Sequence, residues 1–209
     1  MVKCYFLGNA CVEIIGHNDH LLIDPVFLSE PQKGIEKIFI THHHPDHVEM
    51  SKLNEIDANY SAKNKELEIY GPECLYEQLN IEFILIIPES KIELNHGYIS
   101  VYDNSCWKAE DCVAYIISID NKIILHTADS AQFSSSLRAF RNQIDLCFIA
   151  CFEENFEDYL KFIKEVSPKK VIPYHFTTEK EENSRNLIQF LNRNDINAQF
   201  LNIGDFIEI

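Results

Sequence analysis

"IEKIFITHHHPDHVEM", residues Ile35 to Met50, runs from an apolar β-like stretch straight into four histidines within six residues: His42, His43, His44 and His47. Side chains alternate along an extended segment. His42 and His44 therefore project to one side as "IEKIFI" ends, and His43 projects to the other. Pro45 forces a turn, and Asp46 and His47 follow it with no spacer. Adjacent turn residues can both face inward, which makes them a second candidate ligand pair beside the first. Neutral imidazole nitrogens and carboxylates are donors for divalent metals, and two pairs suit two metals better than one. A solvated loop with chance histidines is the plainer account, but the pattern H-x-H-x-D-H is far denser than composition predicts.

Working outward, "VEMSKLNEI" has the apolar spacing of a short helix. Upstream, "KCYFLG", "CVEIIG" and "HLLIDP" are short β-runs closed by Gly or Pro. Downstream, "ELEIYGP" is a strand. A helix is expected over about 72–79, with Pro72 in its first turn. Strands follow at "FILIIP", "KIEL", "YISVYD", "CVAYIISID" and "KIILHTAD", with Asp120-Asn121 as a hairpin turn. "SAQFSSSLRAFRNQ" is expected as a helix, "IDLCFIA" as a strand, and "NFEDYLKFIKEVS" as a helix stopped at Pro168. "KKVIPYH" is a strand, "EENSRNLIQFLNRN" a helix, and "AQFLNIGDFIEI" a closing hairpin. Two strand-rich halves, each followed by helices, predict two packed sheets with helices on both outer faces.

The 209 residues, 46% of them hydrophobic, suffice for one domain with a sizeable core and are short for two. With no linker or repeat visible, 1–209 is expected to be a single domain. The formal charge of −15 disfavours binding nucleic acid through a broad basic face. "MVKCYFLGNA" lacks the pattern of a signal peptide, and no apolar run approaches the ~20 residues of a membrane span. A cytoplasmic protein without a membrane partner is expected. None of the seven cysteines forms a C-x-x-C pair. Small reduced core residues are the simpler reading, for Cys147 and Cys151 above all.

"THHHPDH" resembles the H-x-H-x-D-H signature of the metallo-β-lactamase superfamily, and the resemblance continues in order along nearly the whole chain. "YFLGNACVEI" and "LLIDP" look like its opening strands, with Asp24 at the place of an aspartate that supports the metal loop. "ILHTADS" looks like the later "H-T-G-D" segment, which maps the metal-bridging aspartate to Asp129. "VIPYHF" looks like the last ligand segment, giving His175. The resemblance implies an α/β protein built as a minimal single-domain, four-layer αββα sandwich. It implies one metal at His42 and His44, a second at Asp46, His47 and His175, and Asp129 shared between them. On the residues alone, Asp129 also reads as a helix N-cap before "SAQF", and His175 as a strand-end histidine satisfied by backbone.

One departure stands out. Most members carry another histidine on the loop after "YISVYD", and here "YDNSCWKAEDC" has none. His96 comes a strand too early and reads as a turn residue. Asp103 and Cys106 are the candidate replacement ligands, with Ser105 nearby. Oxygen donors shift preference from zinc toward manganese, magnesium or iron, and a thiolate keeps zinc favoured. With neither, the first site is weak or empty. "VYDNSCW" itself resembles the "F-D-R-T" stretch of the ascorbate-6-phosphate lactonase branch, whose members are longer.

A divalent metal pair (zinc, manganese or iron) brings a bound water toward a pKa of ~7. The expected reaction is hydrolysis of a small ester, lactone or phosphoester by metal-bound hydroxide. Asp46 and Asp129 are the catalytic carboxylates, and Asp46 also handles the proton. No G-x-S-x-G elbow or Ser-His-Asp set competes. His126 and His43 are proton-donor candidates by position alone. Their plainer roles are strand-end residue for His126 and, for His43, a supporting hydrogen bond to Asp24. Trp107 and Lys108 are candidate substrate contacts, and Lys180 or Arg185 candidate receivers of an anionic group. The alternatives are a phosphodiesterase acting on nucleotides or RNA, and a metal- or ligand-binding protein without catalysis.

Overall fold

A computed structural model describes residues 1–76 and 82–209. Two seven-stranded sheets make its frame. The first half supplies β1 (Lys3–Gly8), β2 (Cys11–Ile15), β3 (His20–Ile23), β4 (Lys37–Phe39), β5 (Glu68–Gly71) and β6 (Ile84–Leu85). The second supplies β7 (Lys91–Leu94), β8 (Gly97–Ser105), β9 (Val113–Ile119), β10 (Lys122–His126), β11 (Gln132–Phe133), β12 (Leu146–Ala150) and β13 (Val171–Tyr174). The chain ends in β14 (Phe206–Glu208), and the helices are α1 (Met50–Asn59), α2 (Phe156–Val166) and α3 (Glu181–Asn192).

The first sheet has the order β14-β1-β2-β3-β4-β5-β6, and the second β11-β8-β9-β10-β12-β13 with β7 on β8. Pairing is antiparallel through β1, β2 and β3, then parallel through β4, β5 and β6. The second sheet repeats this switch, antiparallel from β7 to β10 and parallel through β12 and β13. Parallel strands end at a common edge. The C-terminal ends of β3 and β4 therefore lie together, as do those of β10 and β13.

Period-two alternation sorts the first sheet's side chains onto two faces. Cys4, Phe6, Val12, Ile14, Leu21, Ile23 and Phe39 face the second sheet in the main core. Their neighbours Leu7, Cys11, Leu22, Ile38 and Ile40 face outward and are covered by Leu53 and Ile56 of α1. On the far side, Tyr159, Phe162 and Ile163 of α2 and Leu187 and Leu191 of α3 join the main core. The layers are thus helix, sheet, sheet, helix, as expected. The sheets are joined directly where the site lies: Val113 N–H donates to Thr41 O at 3.0 Å, and the Tyr115 hydroxyl to Ile40 O at 2.6 Å.

Two expectations fail. Residues 130–143 are not a helix: Gln132–Phe133 pair with β8 as β11, and only a 3-10 turn at Ser135–Phe140 follows. The Ser130 hydroxyl bonds Ser105 O and Gln132 O, which competes with helical bonding at the start of the segment. The final segment is not a hairpin, because β14 pairs with β1. Of the helix expected over 72–79, a 3-10 turn at Glu73–Leu75 is present, and the rest falls outside the described residues. The Asp120-Asn121 turn holds, with both residues at positive φ (48° and 63°) as a tight hairpin requires.

Candidate metal centre

Every residue expected at the site leaves the C-terminal end of a strand at the shared edge. Asp24 follows β3, His42 to His47 follow β4, Asp129 follows β10, and His175 follows β13. Several of these exits bend sharply. Asp24, His175 and Ala128 (the neighbour of Asp129) sit at φ of 49°, 66° and 50°. Non-glycine residues adopt such angles only where surrounding structure enforces them, commonly at functional sites.

Asp24 is buried and organises the cluster from beneath. Its Oδ1 accepts the Thr41 N–H at 2.8 Å. Its Oδ2 accepts both the Thr41 hydroxyl and His47 Nδ1–H, each at 2.8 Å. With its own proton given to Asp24, Thr41 Oγ1 accepts from His42 Nδ1, 3.0 Å away. Both rings thus turn Nδ1 to this support and Nε2 forward. His44 is held the other way: its Nε2–H donates to the carbonyl of Lys108 at 3.4 Å, so Nδ1 faces the cluster.

The forward atoms form two sets. His42 Nε2 lies 3.0 Å from His44 Nδ1 and 3.8 Å from Asp129 Oδ2. His47 Nε2 lies 3.2 Å from His175 Nε2, and His175 Nε2 lies 3.3 Å from Asp46 Oδ2. Asp129 Oδ2 belongs to both sets, 3.0 Å from His47 Nε2 and 3.2 Å from His175 Nε2. Donors on a tetrahedral ion at ~2.0–2.1 Å stand about 3.3 Å apart, which is the spacing found here. His42 Nε2 and His44 Nδ1 stand 3.0 Å apart with their other ring nitrogens engaged by Thr41 and Lys108, a spacing that a cation between them fits. The buried Asp129 Oδ1 also lacks a hydrogen-bond partner. These two residue sets can each hold a divalent metal.

The electrostatics follow from burial beside carboxylates. Burial, aided by the charge of His47, pushes His42 down to about 3 and keeps it neutral. Burial acts in the same sense on His47 and His175, but the carboxylates together outweigh it, Asp129 with Asp24 at His47 and Asp129 with Asp46 at His175. His47 is held well above the ordinary imidazole value, and His175 is raised to about 9. Burial would raise the Asp129 carboxyl, yet the two rings hold it well below its usual range. Asp46 is lowered to about 2: burial opposes this, and the hydrogen bond to His175 together with the charges of His47 and His175 prevails.

The remaining candidates fall elsewhere. Asp103 is exposed because β8 continues to Ser105, and it lines a surface cleft with Pro88, Glu89 and Ser134, away from the donor sets. Cys106 is bonded to Cys112 as a disulfide, which corrects the all-reduced reading and removes its thiolate as a ligand. The sulfurs lie behind His42, with Cys112 Sγ 3.9 Å from Nδ1 rather than beside the forward-facing Nε2. Cys147 and Cys151 are free and buried, as expected.

His43 makes no bond to Asp24, whose acceptors are taken by Thr41 and His47. Its ring lines an open cleft of about 570 Å³ with Tyr76, Lys108 and Glu110. His126 is fully buried against Tyr174, ring centroids 4.7 Å apart, and desolvation lowers it to about 4. It is a core histidine out of reach of a leaving group. His96 sits in the β7–β8 turn, as expected. Trp107 is 76% exposed, with Lys108 Nζ over its ring at 4.3 Å. Lys180 is exposed, and Arg185 is engaged by Glu181 and the ring of Phe200. Sequence reasoning missed Thr41, which joins Asp24 to both rings, and the carbonyl of Lys108. Neither carries a motif, since one acts through a hydroxyl and the other through backbone.

A two-sheet sandwich with four imidazoles and two carboxylates converging at one edge defines a class of metal-site αββα proteins. Residues 5–176 match the family described as Beta-lactamase superfamily domain, and the chain belongs to that family. Its architecture is the αββα metallo-β-lactamase fold. A UPF0173 metal-dependent hydrolase of Pyrococcus horikoshii is 27% identical over 203 residues, covering 85% of this chain and 86% of its own. The metallo-β-lactamase fold protein YhfI from Bacillus subtilis superposes with a TM-score of 0.79 at 16% identity over 100% of both chains. The short form of human tRNase Z does so with a TM-score of 0.69 at 14% identity over 99% of both. Among the described residues, no helix is long and apolar enough to cross a membrane.

Proposed function

We propose that this protein is a metal-dependent hydrolase of small ester, lactone or phosphoester substrates, with two divalent metals held around Asp129. The observation that carries this reading is the convergence of both donor sets on Asp129 Oδ2. His42, His44 and Asp129 hold one metal. Asp46, His47, His175 and Asp129 hold the other. When bound, the pair supplies Lewis acidity, which makes water a nucleophile near neutral pH and polarises the substrate oxygen. The donors include nitrogen and oxygen but no thiolate, so zinc, manganese and iron all suit them.

The chain's own groups do the rest. Asp24 and Thr41 fix the tautomers of His42 and His47, so that the donor atoms are oriented before substrate arrives. The Asp46 side chain is 48% exposed and its carboxylate is ionised, which suits it to receive a proton from the attacking water. His43 and Lys108 line one open cleft, and His43, next to the ligand-bearing residues, is the candidate proton donor to a leaving group. Lys108 lines that cleft with its Nζ over the exposed Trp107 ring, and the two side chains receive the body of a small anionic substrate. The likeness of "VYDNSCW" to the lactonase branch places lactones and sugar phosphates first in a substrate screen. A chain of net charge −15 offers no broad basic surface for RNA. The name of the Pyrococcus horikoshii relative, a metal-dependent hydrolase, agrees with this reading.

Turnover of an aryl ester, a lactone and a bis-aryl phosphate by the metal-loaded protein tests the proposal. Hydrolysis of ester or lactone, abolished in Asp129→Ala, is expected. Preference for the diester would move the assignment to a phosphodiesterase. Absence of turnover of all three by a two-metal protein would leave a binding protein.

A further inference from the structure

The disulfide loop of residues 106–112 touches two of the segments that carry the donor atoms, the histidine loop after β4 and the exit of β10. Cys112 Sγ lies 3.9 Å from His42 Nδ1. Both cysteines pack on Ala128, the residue before Asp129. The Lys108 carbonyl receives the Nε2–H of His44 at 3.4 Å. The β8–β9 hairpin closes the base of the loop, where the Asn104 N–H donates to Cys112 O at 2.9 Å, and the tip projects beyond it. Trp107, Lys108, Glu110 and Asp111 are exposed, and Lys108 and Asp111 both hold the left-handed backbone, at φ of 52°. Such a conformation in non-glycine residues persists only where a constraint maintains it. The Cys106–Cys112 bond supplies that constraint.

We propose that the Cys106–Cys112 disulfide is a redox-addressable clasp that positions His44 through the Lys108 carbonyl, so that its reduction weakens metal binding at His42 and His44 alone. This rests on the two-metal reading above. The reductant is a dithiol. One of its thiolates attacks a protein sulfur, with Cys106 the more exposed at 8% against 2% for Cys112. The Cys106–Cys112 bond breaks and a mixed disulfide forms. The reductant's second thiol then closes its own disulfide. Two electrons and two protons pass to the protein, which ends with two thiols. The loop relaxes, Lys108 O withdraws from His44, and the ring loses the bond that turned Nδ1 forward. The contacts above reach the second set only at Ala128, beside the shared Asp129, and Asp46, His47 and His175 keep their metal.

The test is titration of metal-free protein with zinc, followed by calorimetry. Oxidised wild type, wild type reduced with a phosphine and then freed of it, and Cys106→Ala/Cys112→Ala are compared. Oxidised protein is expected to bind two equivalents tightly. In the reduced and doubly substituted proteins, one equivalent stays tight and the other weakens about 10- to 100-fold, the usual effect of losing a group that orients a ligand. Reoxidation restores the second equivalent in wild type. Reduction of His44→Ala changes nothing further. If the double variant does not fold, the reversible reduction of wild type gives the same readout. Two unchanged affinities after reduction, or tighter binding, overturn the clasp while leaving the metal centre intact. So does finding all seven cysteines as reactive thiols in unreduced, denatured protein that had bound two metals. Fewer than two equivalents in oxidised wild type would instead overturn the two-metal reading.

Discussion

Asp24 Oδ2 accepts the Nδ1–H of His47 at 2.8 Å, and both side chains are sealed from solvent. One carboxylate, emerging from β3 at a left-handed turn, thereby sets the tautomer of a ligand ring two dozen residues away and, through Thr41, that of His42. Asp24→Asn keeps the shape and removes the charge, but its amide nitrogen cannot accept. Metal affinity is expected to fall about 10- to 100-fold with the fold retained, read by competition with a chromophoric chelator. An unchanged affinity would mean that the rings orient themselves.

Asp129→Ala removes the one oxygen common to both donor sets. Loss of both metals together is expected, along with hydrolysis at background level. Elemental analysis of the purified variant checks the metals, and circular dichroism checks the fold. Retention of one full equivalent would show that Asp129 serves a single metal.

The metal-free protein should be pH-sensitive in a defined window. Burial lowers His175, but Asp129 and Asp46 raise it from 6.5 to about 9 in the folded state. A group raised by folding contributes stability that is full below its unfolded value and is lost as pH rises through the folded one. The Tm of metal-free protein is therefore expected to fall from pH 6.5 to about 9. Metal displaces the ring proton, so the loaded protein should lack this slope and should release protons on metal uptake at pH 7.5. Scanning calorimetry across the window, with and without chelator, decides it. A metal-free Tm that climbs over this range would contradict the assignment.

Tyr115→Phe deletes the buried hydroxyl that bonds Ile40 O at 2.6 Å and ties β9 to the segment entering the histidine loop. Leaving that carbonyl unpaired in the core should cost about 1–3 kcal/mol, measured by urea denaturation. Zinc affinity should drop at the His42 and His44 position more than at the other, since Thr41 follows Ile40 directly.

The layers were legible because apolar alternation and closing Gly or Pro residues mark β1, β2, β3 and β9 plainly. The proposed ligands of the histidine cluster were legible from its density, whereas Asp129 and His175 were named only through the family resemblance. The failures have a common physical origin in interactions without a local signature. β11 exists because Gln132 finds Ser105 across the sheet, against an amphipathic pattern that favoured a helix. β14 turns to β1, and no local turn pattern reveals that choice. Asp103 was a reasonable replacement ligand until β8 proved two residues longer, which turned it to solvent. The cysteines six apart in "CWKAEDC" were the only hint of the clasp, and their spacing alone did not show that the ends meet.

The central claim is two metals centred on Asp129, and the metal content of purified, untagged protein tests it most directly. Elemental analysis should give two equivalents per chain of zinc, manganese or iron, falling to one in His44→Ala and to none in Asp129→Ala. A single equivalent that is indifferent to His44→Ala, or no metal after growth in supplemented medium, would contradict the account.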